Sequence, residues 1–199
     1  RRSSRLAPYR IEMLVTLRKG ARWVEFETKI NNNVPNHYLQ AAFPTDVDAE
    51  FVYAQGQFDV VKRPIAKPDY SKYDEIPMTE QPMNSFVDIC NENEGAAILN
   101  TGLKAYESDD DYNHTVYLSL LRCFELRIYV TPEEQNYSRI ENGSQSFGEH
   151  TFRYAFMPHK GDWEDAQVWK AAEDFNMEIL IGQTAPTEHG KNPLEKSFI

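Results

Sequence analysis

Ala41–Pro64, AAFPTDVDAEFVYAQGQFDVVKRP, holds the pattern that decides the fold. With Leu39 just before it, Ala41 and Phe43 fall on one face of an extended run, because successive strand side chains point to opposite faces. Phe51 and Tyr53 begin a second run, which Phe58, Val60 and Val61 extend beyond Gly56. A glycine inside a strand pattern marks a bulge or a close backbone approach. Pro44 and Pro64 each close a strand, since proline has no N–H to give to a ladder. The segment therefore delivers Lys62 and Arg63 to a strand end, where loops carry binding groups.

Upstream, Ile11, Met13, Val15 and Leu17 alternate with other residues at the period of a half-buried strand. Lys19–Gly20 turns the chain, and Val24, Phe26, Thr28 and Ile30 repeat the alternation, predicting a β-hairpin. Asn31–Asn33, with Pro35 just after, form a polar turn. Downstream of Pro64, the stretch from Ile65 to Met83 has little periodicity and carries Pro68, Pro77 and Pro82. Short strands follow at Ser85–Cys90 and Ala96–Leu99, and the meander continues through Ala105–Glu107. Val116–Cys123 is apolar almost throughout and reads as a strand buried on both faces. Thr131–Gln145 reads as a loop. His150, Phe152, Tyr154 and Phe156 form an aromatic strand.

One helix then follows, with Asp162 as its cap, Asp165 in its first turn, and Val168, Ala172 and Phe175 as its apolar stripe. Met177, Ile179 and Ile181 resume strand alternation. Residues 1–182 are expected to form the domain and 183–199 an extended tail. About a dozen short strands without helical crossovers predict an all-β, antiparallel β-sandwich with one short helix.

At 199 residues, 41% hydrophobic and 13% aromatic, the chain can bury one sizeable core. A formal charge of -10 argues against a nucleic-acid partner, because phosphate contacts need a basic face. No apolar run approaches the ~20 residues of a membrane helix, so no membrane partner is expected. No signal peptide is visible, and the compartment stays open, with the cytoplasm slightly favoured. A start at Arg1 without methionine suggests a piece of a longer polypeptide. Cys90 and Cys123 lie in apolar runs and read as buried free thiols.

Catalytic constellations are sparse. Asp109–Asp110–Asp111 reads as a solvated turn, and Asp46 and Asp48 as turn residues ahead of Arg63. His37, His114, His150, His159 and His189 are scattered and fit no metal-ligand spacing, so no metal site is expected. His159 and Asp162, in PHKGDW, could orient one another within a structural turn. A hydrolase acting on glycosides needs two carboxyls facing across the scissile bond, and no such pair stands out.

FPTDVDAEFVYAQGQFDVVKRP, GAAILNTGLKAYE from Gly95, TVYLSLLRC from Thr115 and GSQSFGEHTFRYAFMPHKGDW from Gly143 occur in this order. Together they resemble the C-terminal β-domain of α-mannosidases of glycoside hydrolase family 38, over roughly Leu14 to Ile181. The resemblance implies a sandwich of the large galactose-mutarotase-like type. It also implies that the catalytic carboxylates and a zinc ion belong to an N-terminal catalytic domain that this sequence does not contain. The chain itself should then be inactive and hold no cofactor. Its partners would be that catalytic domain and an α-mannoside or oligosaccharide substrate, with Arg63 bordering the sugar pocket and either binding substrate or forming an interdomain salt bridge. Pro64 stands where some members have a further basic residue. The alternative is a free-standing carbohydrate-binding module, with Trp163, Trp169 or Tyr154 as stacking platforms.

Overall fold

A computed structural model describes residues 9–67, 69–72, 74, 78–127, 138–139, 142–177 and 182. A seven-stranded antiparallel sheet runs β1-β2-β13-β8-β7-β4-β5. Its strands are β1 (Ile11–Thr16), β2 (Val24–Asn32), β4 (Phe51–Gln55), β5 (Val60–Pro64), β7 (Phe86–Cys90), β8 (Glu94–Asn100) and β13 (Gly148–Lys160). Against it lies a four-stranded sheet, β3-β10-β9-β6, made of β3 (Tyr38–Phe43), β6 (Gln81–Pro82), β9 (Ala105–Ser108) and β10 (Val116–Arg122). A small ribbon pairs β11 (Leu126–Arg127) with β12 (Ser138–Arg139). The helices are the four-residue α1 (Asn142–Gln145) and α2 (Val168–Asn176).

The two-layer antiparallel sandwich expected from the strand periods is the fold observed. Its main core fills the space between the sheets with Ile30, Val52, Ile89, Ile98, Tyr106, Leu118 and Tyr154. Phe43 of β3 anchors one side of this layer, edge-on to Phe26 and Tyr154 and stacked on Phe156. A second cluster lies on the other face of the large sheet. There α2 lays Val168, Ala171, Ala172 and Phe175 over Phe86, Leu99, Ala155 and Met157.

Several expectations need correction. The deciding stretch holds three strands, not two. Gly56 opens a hairpin turn: its N–H donates to the Asp59 carbonyl at 2.7 Å, and Phe58 stands fully exposed at the tip. Here the close backbone approach is real and the continuous strand is not. Pro44–Glu50 carries the chain from the small sheet to the large one, which periodicity does not reveal. β10 is not buried on both faces, because Tyr117 and Ser119 face partly outward. The strands sandwiched on both sides are β7 and β8, since α2 covers what the small sheet does not.

Three short pieces also fall within passages read as irregular: β6 after Ile65, and β12 and α1 inside Thr131–Gln145. α2 starts six residues after Asp162. The Asp162 carboxylate instead accepts the N–H groups of Glu164 and Asp165, each at 2.9 Å, and so caps a preceding turn. Gln167, at φ 52°, breaks that turn from the helix. β1 is exposed along nearly its whole length rather than half-buried. The alternation beyond Met177 and the tail from 183 lie outside the described residues. No helix among the described residues is long and apolar enough to cross a membrane.

Candidate functional site

The β4–β5 hairpin places Arg63 opposite Val52, so its side chain shares the core-facing side of the large sheet. Lys62, one residue earlier, points the other way and seats its Nζ 3.9 Å from the Phe51 ring centroid. Arg63 reaches across to the small sheet. Its Nη1 donates to the Pro82 carbonyl at 3.2 Å and to the Tyr106 hydroxyl at 3.1 Å, and its guanidinium carbon lies 5.9 Å from the Tyr106 ring centroid. Tyr106 is fully buried. Burial raises its phenol pKa, and the Arg63 hydrogen bond and charge partly offset that rise.

These contacts hold Arg63 in one pose. A guanidinium has five donors in a planar fork, so the two contacts leave donors to present to a ligand.

A groove of about 240 Å³ opens beside it, lined by Arg63, Lys67, Tyr70, Met78, Gln81 and Ser108 among others. Of the described residues that line it, two are cationic and none is a carboxylate. Such a site can hold and orient hydroxyl or anionic groups. Its described lining residues include no pair of carboxyl groups of the kind glycosidic cleavage uses. Lys67 also meets Asp109 at 3.4 Å, both side chains being about half exposed.

The neighbouring loop is ordered by Asp111, whose carboxylate accepts the Thr115 N–H and hydroxyl, each at 2.8 Å. Those hydrogen bonds lower its pKa. The Asn113 carbonyl takes the N–H groups of Thr45 and Asp46 at 3.1 and 2.9 Å, tying this loop to the Pro44–Glu50 crossing. Asp111 opens a turn, its carbonyl accepting the His114 N–H at 3.1 Å, whereas Asp46 and Asp48 lie along the Pro44–Glu50 crossing and not in a turn.

His159 does not face Asp162. Its Nε2 lies 2.8 Å from Asp88 Oδ1, in a pair almost wholly withdrawn from solvent. Gly95 lies between them on β8 and makes room: a Cβ there would fall against the imidazole and 2.6 Å from Cys90 Cβ. Cys90 and Cys123 are free and buried. Burial first, then the Asp88 charge, pushes the Cys90 thiol well up. Among the described residues no three His, Cys, Asp or Glu side chains converge to hold a metal ion.

Of the three aromatic side chains a binding module would expose, Tyr154 is buried and hydrogen-bonded to Thr28 at 2.7 Å. Trp163 packs near Tyr53 and Phe86, which leaves Trp169 as the exposed one.

Sequence reasoning missed a second groove, of about 620 Å³, on the outer side of the small sheet. There Glu80 accepts from Tyr38 (2.8 Å), Ser119 (2.7 Å) and Arg122 (2.9 Å). Burial is the main cause that pushes the Tyr38 phenol up to about 12. These residues sit up to 84 positions apart, and only the strand order assembles them.

Comparison with known proteins connects this geometry to a family. The chain is 29% identical over 186 residues to a Halalkalibacterium halodurans protein provisionally named a mannosylglycerate hydrolase, with 89% of this chain and 19% of that protein covered. It is 28% identical over 171 residues to alpha-mannosidase 2C1 of Homo sapiens, covering 86% of this chain and 14% of that one. A crystal structure of an alpha-mannosidase from Enterococcus faecalis superposes with a TM-score of 0.72 at 29% identity, over 86% of this chain and 18% of that one. The chain thus spans less than a fifth of the length of each of these relatives. Residues 3–125 match the profile described as the glycosyl hydrolases family 38 C-terminal domain, and the chain belongs to that family.

Proposed function

We propose that this chain is the β-domain of an enzyme that hydrolyses terminal α-mannosides with retention, and that it borders the active site through the Arg63 end of the large sheet. The observation that carries this reading is a groove with no carboxylate among its described lining residues, beside a guanidinium fixed by Tyr106 and Pro82, within a family 38 C-terminal domain. Such a groove positions a sugar without cleaving it. The nucleophile, the acid and a zinc ion are assigned to an N-terminal catalytic domain of the same polypeptide, and Arg63 is assigned to substrate binding.

A second substrate class has specific support. One relative carries the name of a mannosylglycerate hydrolase, and Arg63 with Lys67 would suit an α-mannoside whose aglycone bears a carboxylate. The test compares the 199-residue chain with the complete polypeptide on an aryl α-mannoside and on mannosylglycerate, following the anomer first released. Turnover by the complete polypeptide alone, with the α-anomer appearing first, is expected. Hydrolysis by the 199-residue chain, or first release of the β-anomer, would overturn the reading.

A further inference from the structure

The large sheet is wider than the small one, and the excess lies at β1. Ile11, Met13 and Val15 pair with Ile30, Thr28 and Phe26. In adjacent strands, paired residues project to the same face. Ile30 and Phe26 belong to the core between the sheets, so Ile11, Met13 and Val15 face that side as well. They are nevertheless 45%, 52% and 55% exposed, while Leu14 on the opposite face is 62% exposed and Leu17, just beyond, 71%. The small sheet reaches only as far as Phe43, which meets Phe26 and Tyr154.

Among the described residues β1 is also the sheet's outer strand, hydrogen-bonded to β2 on one side. Natural edge strands are guarded by charge, proline or a bulge. Arg10, Glu12 and Arg18 flank this edge, but Met13–Thr16 carries no charge. An uncharged, aliphatic edge with two apolar faces is the form of a strand awaiting a neighbour.

More than four-fifths of each matched relative lies outside the region this chain covers. We propose that β1 is an interdomain seat: a strand from another domain of the same polypeptide pairs with the edge that no described strand covers and spreads apolar side chains over Ile11, Met13 and Val15. The occupant is an extended segment of alternating aliphatic or aromatic residues, without proline at the paired positions. This inference rests on the reading of the chain as one domain of a larger enzyme. Its test is read from stability and exchange rather than turnover, so the two can fail separately.

The test carries Met13→Glu with Val15→Glu in the complete polypeptide and in the 199-residue chain. In the chain alone, where both side chains are already in water, the melting temperature should hold within about 2 °C. In the complete polypeptide it should fall by at least about 5 °C. Amide exchange along β1 should be at least about tenfold slower in the unsubstituted complete polypeptide than in the chain alone. Equal melting shifts in both forms would show that the residues serve the chain's own fold, and would overturn the proposal. So would unchanged exchange, or a β1-dependent dimer of the chain paired with an indifferent complete polypeptide.

Discussion

His159 crosses a whole strand to reach its carboxylate, and it can do so because residue 95 has no side chain. Gly95→Ala should therefore cost about 1–3 kcal/mol, measured by urea unfolding, since neither imidazole nor thiol has room to yield. Burial pulls the His159 pKa down, but the hydrogen bond and charge of Asp88 outweigh it, and the folded value lies above the ordinary one. Cys90 lies within electrostatic reach of both Asp88 and Asp162. A raised folded pKa stabilises fully below the unfolded value of about 6.5, and that contribution is lost as pH rises through the folded value. The stability gap between the parent chain and His159→Gln should accordingly shrink from pH 6 to pH 9. A gap independent of pH would mean that the imidazole acts by packing alone. PHKGDW drew attention to this histidine, yet its partner lies 71 positions away. Strand register makes that pair, and register is not written in any local motif.

At the scale of elements, the apolar stripe of α2 was legible and its start was not. Val168, Ala172 and Phe175 pack as the helical period requires, with Phe175 edge-on to Trp23 at 6.1 Å. Phe175→Ala should destabilise by about 3 kcal/mol in chemical denaturation and leave the strand signal in far-UV circular dichroism intact. The acidic residue that looked like the helix cap serves a turn, because Gln167 adopts a left-handed backbone that the sequence does not announce. The β4–β5 hairpin shows a similar division. Pro64 and the close approach at Gly56 were readable from residue chemistry, whereas the transfer of the chain between sheets at Pro44–Glu50 was set by packing.

For the whole molecule, alternation and turn chemistry were enough to reach a two-sheet sandwich, and four ordered motifs were enough to reach the family. The same alternation misjudged β1, because a period-two pattern shows which face is apolar but not whether anything covers it. The sequence brought Arg63 to a strand end; its latch to Tyr106 and Pro82 needed the second sheet to be in place. On this account the Arg63 end is where a strongly acidic domain offers a small cationic groove to a sugar held by its neighbour. The direct measurement is kcat/KM of the complete polypeptide on an aryl α-mannoside for Arg63→Ala beside Tyr106→Phe, which removes the hydroxyl that helps to hold the guanidinium. Arg63→Ala should lose at least about tenfold, and Tyr106→Phe less. Equal activity in Arg63→Ala and the parent, with a lowered melting temperature alone, would make Arg63 a brace between sheets and contradict this account.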